Sequence, residues 1–422
     1  MATAATPYEI VIIGANFAGL GVAHYLIRKT IPELQKLDES KSFHITVVTP
    51  NTDMFFKIAA PRVLLNATAI PESKVLRPLS EGLSKYKPEQ LTLTQARATG
   101  HDAAKRTVTI TPVGSEASKD LHYDSLFIAT GTTSASPLWT LHADQSLTST
   151  AFKSLHAALP TAKTVYIAGG GAVGLETAGE IATTYPNAKV TLLSGGTSLL
   201  PRISPAVGAR AESYVKSNSV AELVHNLRVV SSDTSKSPNT VTLSDGSTRE
   251  VDLCIDATGG KANSQFLQAD WLDETGRVLT RDAYFRVKGN GSDDVEGVYV
   301  VGDIVAGSNN TAIEVDAMVP TAASAFAVDF ARKVIGVSAE PAKSGLLASL
   351  FGMFAGKKAG PPSLVEYKPM KDTILVPIGP GGGVGQLMGW KVPSFFVGKL
   401  KGQKFLMELV EPALSGDKWP KA

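Results

Sequence analysis

The sequence predicts an α/β protein with two Rossmann-like dinucleotide-binding domains and a small C-terminal α+β domain. Three observations predict this architecture. Apolar strands alternate with helical segments, a strand–glycine turn–helix pattern occurs twice, and a stretch rich in Gly, Ala, Ser, Lys and Pro separates the last part of the chain. With 422 residues, of which 43% are hydrophobic, the chain is long enough to bury two or three cores.

The first unit begins with "EIVIIGANFAGLGVAHYL", which predicts a buried strand, a tight turn and a helix. It contains Gly14-x-Asn16-x-x-Gly19, a dinucleotide-binding fingerprint whose middle glycine is replaced. In this fingerprint the first glycine permits the turn, the second admits a pyrophosphate, and the third allows the helix to pack on the strand. Asparagine tolerates a left-handed backbone better than most residues, so we expect Asn16 to preserve the turn and its amide to donate toward a phosphate.

The second unit contains "TVYIAGGGAVGLETAGEIA", in which Gly169-x-Gly171-x-x-Gly174 satisfies the whole fingerprint. Each fingerprint is followed by another apolar strand, "ITVVT" or "KVTLLS", as a β-α-β unit requires. The motif "ATG" also occurs twice, ending at Gly131 and at Gly259. Two nucleotide-binding units are therefore predicted, and each helix N-terminus presents free amides to a phosphate.

A later strand, "GVYVVGD", ends in Gly302 and Asp303 and is followed by a helical segment. An aspartate at that position is suited to accept hydrogen bonds from the ribityl hydroxyls of a flavin. A lone aspartate more often caps a helix or forms an Asx turn. The two fingerprints and the repeated "ATG" favour the flavin interpretation.

Composition excludes several classes of protein. The formal net charge of +2 gives no reason to expect a nucleic-acid partner. The single cysteine, Cys254, excludes a disulfide framework and a paired-cysteine redox centre. The seven histidines are scattered without metal-ligand spacing, so no metal site is expected. The first strand lies too close to the start for a signal peptide, and no apolar run reaches about eighteen residues. We therefore expect an intracellular, cytoplasmic protein.

The predicted domains are a discontinuous first unit (1–160 and 261–335), a second unit (161–260) and a C-terminal domain (336–422). Within the last, 344–358 ("SGLLASLFGMFAGKK") places apolar side chains along one side of a helix that ends in two lysines. This pattern is typical of an interfacial membrane anchor and also of a helix packed on its own domain. Residues 343–422 hold eleven lysines and five acidic residues, a balance that favours peripheral contact with an anionic bilayer.

The combined motifs resemble the two-dinucleotide-binding flavoproteins of the pyridine nucleotide-disulfide oxidoreductase superfamily over residues 8–335. The chain is most similar to AIF-like (AMID / ferroptosis-suppressor-protein type) NAD(P)H:quinone oxidoreductases, especially fungal ones. The narrower resemblance rests on "FFKIAAPR", "GGGAVGLETAGEI" and "YKPMKDTILVPIGPGGGVGQLMGWKVPSFFVGKL". It implies that the first unit binds FAD and that the second binds NADH or NADPH as co-substrate.

The resemblance also implies site residues. Those toward FAD are Gly14, Asn16, Ala18, Gly19, Thr49, Lys57, Arg62, Thr130, Gly131, Gly302, Asp303, and Val319 with Pro320, which would start a helix pointing at the flavin. Those toward the nicotinamide nucleotide are Gly169, Gly171, Gly174, Ser194, Gly259 and Gly260, with Glu176 turned toward the contact between the two rings.

Two positions depart from the family pattern. Thr49 stands where an acidic residue usually holds the FAD ribose. Ser194, at the equivalent position of the second unit, is neither an acid for a 2′-hydroxyl nor an arginine for a 2′-phosphate. The choice between NADH and NADPH is therefore left open, because Arg202 is too distant in sequence to assign.

A flavin beside a nicotinamide accepts hydride. Because Cys254 has no cysteine partner, electrons are expected to pass directly to a quinone-like acceptor, which needs a flat apolar slot. Trp390, Phe395 and Phe396 are candidate walls of that slot, or else core residues of the C-terminal domain. Lys401 matches a basic position of the family and would stabilise a reduced quinol or flavin anion, although a lysine in such a segment is more often simply solvated.

Two other functions stay open from sequence. The flavoprotein could be a tailoring oxidase or dehydrogenase of a small secondary metabolite, or an electron donor to a protein carrier, because fold alone does not determine function. A signalling or nucleic-acid-binding protein with a structural flavin is disfavoured, because no lysine/arginine cluster is dense enough to follow a phosphate backbone.

Overall fold

The computed structural model describes residues 6–234, 238–289, 295–336, 360–370 and 372–420. The strands are, in chain order, β1 (Tyr8–Ile13), β2 (Phe43–Thr49), β3 (Asp53–Phe55), β4 (Leu76–Pro78), β5 (Leu91–Asp102), β6 (Thr107–Pro112), β7 (Lys119–His122), β8 (Ser125–Ile128), β9 (Thr132–Ser134), β10 (Thr164–Ala168), β11 (Lys189–Ser194), β12 (Glu222–His225), β13 (Val229–Asp233), β14 (Asn239–Leu243), β15 (Thr248–Val251), β16 (Leu253–Asp256), β17 (Gly260–Ala262), β18 (Val298–Val300), β19 (Ile374–Pro377), β20 (Gly383–Leu387) and β21 (Trp390–Val392). The α-helices are α1 (Phe17–Tyr25), α2 (Ile31–Leu37), α3 (Ala60–Val63), α4 (Leu79–Leu83), α5 (Ser146–Ala158), α6 (Ala172–Thr184), α7 (Pro205–Ser217), α8 (Ala312–Phe330), α9 (Ser394–Val397) and α10 (Val410–Ser415).

The first unit is built on a seven-stranded sheet of order β18-β8-β1-β2-β5-β6-β7. Strands β18, β8, β1, β2 and the start of β5 are parallel, whereas β5, β6 and β7 pair in antiparallel fashion. In β1, residues 10–13 are buried, and Ile10 pairs with Ile45 of β2. Such continuous apolar runs are expected of parallel strands covered on both faces. Strand β18 joins this sheet from far along the chain, after the strands of the second unit. The first unit is therefore discontinuous in sequence.

The second unit contains a parallel sheet of order β12-β11-β10-β16 and a smaller antiparallel sheet of β13, β14 and β15. Strands β9 and β17 form an antiparallel pair between the two units, with Gly260 opposite Ser134. The predicted α/β class with two Rossmann-like units is confirmed. The carboxyl ends of the central strands of each sheet therefore hold the glycine turns.

The glycine turns show why only two of the three fingerprint positions need glycine for folding. Gly14 and Gly169 have φ values of +104° and +126°, which L side chains rarely adopt. A Cβ on Gly19 would lie 1.8 Å from the Gly14 carbonyl oxygen, so helix α1 packs directly on the end of β1.

The middle position is different. Asn16 has φ −96°, and Gly171 has φ −80°. Both are extended backbone, so the expectation that Asn16 must tolerate a left-handed conformation is wrong. Asparagine is accommodated because this position imposes no special dihedral angle. Its side-chain Nδ2 donates to the Phe55 carbonyl at 3.2 Å, so the expectation that this amide donates toward a phosphate is corrected.

The C-terminal region forms an antiparallel sheet of β19, β20 and β21 with α9 and α10. Its backbone touches α6 directly, since a Cβ on Gly179 would lie 2.3 Å from the nitrogen of Gly379. Near the end of the chain, the ring Nε2 of His24 lies 2.9 Å from the Leu414 carbonyl oxygen. Burial lowers the pKa of His24 to about 4, so this ring is neutral at physiological pH. The predicted helix at 344–358 lies outside the described residues.

None of the helices in the described part of the chain combines the length and the hydropathy that a membrane span requires.

Candidate functional site

A cavity of about 570 Å³ lies where the central strands of the first sheet end. It is lined by nine of the residues that the sequence assigned to FAD: Gly14, Asn16, Ala18, Thr49, Lys57, Thr130, Gly131, Gly302 and Asp303. These residues lie at the ends of β1, β2, β8 and β18 or at the start of α1, except Lys57, which follows β3. Parallel strands end at a common edge, so one sheet brings segments that are hundreds of residues apart to one wall.

The cavity contains polar atoms that are buried and have no hydrogen-bond partner among the described residues. They are Oδ1 of Asn16, Oδ1 of Asn51, Oγ1 of Thr130, Nε2 of His142 and Oδ1 of Asn310. An unsatisfied buried polar group costs about 1–3 kcal/mol. Five of them around one cavity therefore indicate a large polar ligand, and the set fits FAD, because three of the five are carboxamide oxygens that can accept from its ribityl and ribose hydroxyls.

Sequence reasoning missed three of these residues. Asn51 had a signal, because it follows two positions after Thr49, where the usual acid is missing. In the structure the backbone nitrogen of Asn51 donates to the Thr49 hydroxyl at 3.3 Å. His142 and Asn310 had no local signal, since they reach the cavity from separate loops.

Two predicted residues pair with each other. The Lys57 ammonium lies 2.9 Å from the Asp303 carboxylate, and both line the cavity. This ion pair joins the segment after β3 to the end of β18. The hydrogen bond of Asp303 to a ribityl hydroxyl stays a prediction.

Helix α8 begins at Ala312, not at Val319 as predicted. The Thr311 hydroxyl caps it by accepting from the Glu314 nitrogen at 3.3 Å. The family resemblance implied the later start, but Pro320 lies inside this helix and not at its first turn. Val319 is fully buried and does not reach the cavity; Ala312, at the helix N-terminus, does. The helix N-terminus that the resemblance placed at Val319 therefore lies seven residues earlier, and the free backbone amides of the first turn lie there.

Two further predicted residues do not line the cavity. Gly19 lies behind the turn, where it allows α1 to approach β1. The Arg62 guanidinium forms a two-pronged ion pair with Glu180 of α6, with both N–O distances 2.6 Å, and donates to the carbonyls of Gly402 and Gln403 at 2.7 Å. The expected place of Arg62 beside the flavin is thus corrected: it joins both nucleotide-binding units to the C-terminal domain.

A second cavity, of about 1130 Å³, lies at the carboxyl ends of β10, β11 and β16. It is lined by five of the residues assigned to the nicotinamide nucleotide: Gly169, Gly171, Ser194, Gly259 and Gly260. Gly174 instead packs α6 on β10, since a Cβ there would lie 2.0 Å from the Gly169 carbonyl oxygen. Asn310 lines both cavities, so the two sites adjoin at the N-terminal end of α8.

Glu176 and Lys401 lie together, with 2.5 Å between Oε1 and the ammonium nitrogen. Both are largely buried, and the ammonium also donates to the Leu375 carbonyl at 3.3 Å. Burial raises the pKa of Glu176, and the Lys401 charge opposes that effect. Neither side chain lines either cavity in the described residues, so their catalytic role stays a prediction.

The aromatic residues proposed for a quinone slot are on the outer surface. Trp390 is 81% exposed, Phe395 62% and Phe396 42%, and none lines either cavity. The alternative that these rings are core residues is therefore wrong, and their role as slot walls stays a prediction. The reason is that Val392 and Val397 fill the interior of the C-terminal domain, which leaves the aromatic rings outside.

In the part of the chain that the structure describes, no group of three or more His, Cys, Asp or Glu side chains is arranged to hold a metal ion.

Comparisons with known proteins agree with this geometry. The family model described as "Pyridine nucleotide-disulphide oxidoreductase" matches residues 8–325. "Oxidoreductase phnG" of Penicillium herquei is 28% identical over 99% of both chains. "Ferroptosis suppressor protein 1" of Xenopus tropicalis is 28% identical over 94% of this chain and 92% of its own. The solved sulfide:quinone oxidoreductase of Aquifex aeolicus has a similar fold, with a TM-score of 0.57, 17% sequence identity and 78% of each chain covered. The resemblance seen in the sequence is confirmed.

Proposed function

Because this chain belongs to the pyridine nucleotide-disulphide oxidoreductase family, we propose that it passes reducing equivalents from NAD(P)H through FAD to a quinone-type acceptor. FAD and NAD(P)H are its cofactors. Bound together, they supply hydride transfer from the nicotinamide and electron release to an acceptor. The observation that carries the proposal is the pair of adjoining cavities that share Asn310.

The residues of the chain position the two ligands. The turns at Gly14 and Gly169 would present backbone amides to the phosphates of FAD and NAD(P)H. The N-terminus of α8 lies where the two cavities meet. The buried oxygens of Asn16, Thr130 and their neighbours then gain hydrogen-bond partners. Fixed donors and acceptors of this kind hold reacting rings in contact and exclude water.

The absence of a second cysteine supports direct transfer to a small acceptor. Cys254 lies in β16, and burial raises the pKa of its thiol to about 11. A protonated, half-buried thiol is a poor nucleophile, and the chain offers no cysteine with which it could form a redox disulfide. A quinone needs neither, because it takes electrons without forming a bond to sulfur.

The buried Glu176–Lys401 pair has a positioning role in this scheme. It connects α6, whose first turn lines the nicotinamide cavity, to the C-terminal domain. Because removal of one partner would leave the other charge buried and unpaired, the pair favours a single docked arrangement of that domain.

Anaerobic stopped-flow measurements test the function. We expect NADH or NADPH to bleach the flavin absorbance, and a short-chain quinone to restore it faster than air does. The proposal would be contradicted if NADH or NADPH reduces the flavin but no quinone reoxidises it faster than air does. Slow reduction by nicotinamide but rapid reduction by an organic metabolite would instead support the tailoring oxidase.

The variant Gly171→Asp tests the nicotinamide site separately from the flavin site. A side chain at this position meets open space at the cavity and would place a carboxylate beside the nicotinamide pyrophosphate. We expect reduction by NAD(P)H to slow about tenfold or more, since like charges repel. Reduction by dithionite and reoxidation by quinone should stay at the wild-type rates, which separates a damaged nicotinamide site from a damaged flavin site.

We further infer that the C-terminal domain contacts an anionic bilayer through an exposed apolar surface. This surface, called the aromatic patch, comprises Met388, Trp390, Phe395, Phe396 and Leu400. The rings of the two phenylalanines lie 4.2 Å apart, outside the core. Besides Lys401, which pairs with Glu176, residues 383–405 contain three lysines and no acid, so the charge around the patch suits anionic headgroups.

Replacing Trp390, Phe395 and Phe396 by alanine is expected to reduce cosedimentation with phosphatidylserine-containing vesicles about tenfold or more, because each buried ring contributes apolar area. The thermal midpoint should be unchanged, since the three side chains are exposed. Val230→Ala, at another exposed apolar position, is the control. Equal sedimentation of the triple variant and the wild type would refute the membrane contact.

A further inference from the structure

The turn that follows β11 is the place where Rossmann units distinguish the two nicotinamide coenzymes. An acid at the end of this strand binds the 2′-hydroxyl of NAD(H), whereas an arginine nearby accommodates the 2′-phosphate of NADP(H). Here the strand ends in Ser194, and residues 189–209 contain no acid. The Ser194 hydroxyl is already used, because it donates to the Ser198 carbonyl at 3.1 Å.

Arg228 is brought to this turn from a distant segment. The Asn226 nitrogen donates to the Gly196 carbonyl at 3.0 Å, and the Leu227 nitrogen donates to the Ser194 carbonyl at 3.2 Å. The Arg228 side chain lies over Gly195, because a Cβ on that glycine would be 2.7 Å from its Nε. The guanidinium is therefore held at the turn and lines the second cavity.

Arg202 approaches the same turn from the other side. The preceding loop crosses the fingerprint, where the Leu200 nitrogen donates to the Gly170 carbonyl at 2.8 Å. Two residues later, Arg202 is exposed and lines the same cavity as Ser194 and Arg228. Among the residues that the structure describes, neither arginine forms an ion pair with a carboxylate.

The carboxylates that line this cavity belong to Glu314 and Asp372. Glu314 accepts hydrogen bonds from Ser308, Asn309 and Tyr367 on the wall that adjoins Asn310, where the two cavities meet. Asp372 lies in the segment that leads into β19. The β11 turn thus presents two cations and no anion to the part of the cavity that it borders.

We propose that Arg202 and Arg228 bind the 2′-phosphate of NADPH and make NADPH the preferred coenzyme. A guanidinium donates paired hydrogen bonds to a phosphate, and two that have no carboxylate partner suit its double negative charge. This inference deepens the proposed function and rests on its nicotinamide half, but it does not depend on the acceptor.

Calorimetric titration of the FAD-loaded full chain with 2′,5′-ADP and with 5′-AMP tests the inference. These two nucleotides differ only in the 2′-phosphate and need neither hydride transfer nor a quinone. We expect 2′,5′-ADP to bind about tenfold or more tightly than 5′-AMP, because hydrogen bonds to a charged group are among the strong ones. Equal affinity of the wild type for the two nucleotides would overturn the proposal.

Arg202→Ala and Arg228→Ala should each weaken binding of 2′,5′-ADP about tenfold and leave binding of 5′-AMP within about twofold. Arg249→Ala removes one charge from an exposed position of the same unit and should change neither affinity. Variants that weaken both nucleotides equally, or neither, would show that these arginines do not contact the 2′-phosphate. In flavin reduction, the ratio of kcat/KM for NADPH to that for NADH should fall by the same factor. If 2′,5′-ADP is preferred but no quinone is reduced, only the proposed acceptor fails.

Discussion

Replacing Gly19 by alanine is expected to release FAD from the purified protein and to destabilise the first unit by about 3 kcal/mol, at the upper end of what overpacking usually costs. The added Cβ would lie 1.8 Å from the Gly14 carbonyl oxygen and 3.3 Å from the Ala129 side chain. The carbonyl oxygen is a backbone atom, and it cannot move away easily because Gly14 is held at a φ of +104° in the tight turn. Helix α1 must therefore move away from β1. This movement takes the N-terminus of α1, with its free backbone amides, away from the phosphate site.

Gly21→Ala is the matched control on the same helix. A Cβ at Gly21 would lie 3.4 Å from Val319, which is an ordinary contact, and alanine favours a helix over glycine by about 1 kcal/mol. This variant should keep its flavin and unfold at or above the wild-type temperature. The measurements are the ratio of flavin to protein absorbance after gel filtration and the thermal midpoint. Full flavin occupancy in Gly19→Ala would show that the turn is not the phosphate site.

Replacing Arg62 by methionine should cost about 3–5 kcal/mol of stability near neutral pH, because it leaves the Glu180 carboxylate buried without its counter-ion. In the native protein this guanidinium makes two ion-pair contacts with Glu180 and donates to two carbonyls that precede Phe405. It also lies 4.8 Å from the centre of the Phe405 ring. Loss of these contacts should loosen the C-terminal domain, which limited proteolysis would detect.

The pH dependence distinguishes an unpaired charge from a simple loss of packing. Burial raises the pKa of Glu180, and the hydrogen bonds and charge of Arg62 oppose that effect. Without Arg62 the folded pKa rises further above the unfolded one, so the folded state of the variant is favoured by protonation. The deficit in unfolding free energy relative to the wild type should therefore shrink as the pH falls to about 5 and grow as the pH rises to about 8. A deficit that is independent of pH would contradict this explanation.

Arg77→Met is the control for that experiment. Arg77 pairs with Glu81 at 2.6 Å and with Glu411 at 3.1 Å, but both carboxylates are at least half-exposed. Surface ion pairs contribute about 0–1 kcal/mol, so this variant should unfold close to the wild type.

Much of the fold and part of the site could be predicted from the sequence. The strand–turn–helix units were predictable because their determinants are local: a buried apolar run, a glycine that must adopt a positive φ, and a glycine on which a helix packs. The strand end at Asp303 was predictable for the same reason. Prediction failed for the start of α8, which the family resemblance placed at Val319, whereas the helix begins at Ala312 and Val319 packs in the core.

By itself, then, the sequence determined the two nucleotide-binding units, their order along the chain and the glycines that close their turns. Only the tertiary structure decided which side chains meet. Arg62 finds Glu180 across 118 residues, Arg228 lies over Gly195, and the unpartnered atoms of the first cavity come from five separate segments. The physical reason is that a backbone conformation depends on a few neighbouring residues, whereas a salt bridge or a cavity wall depends on where the packed sheets bring distant segments together.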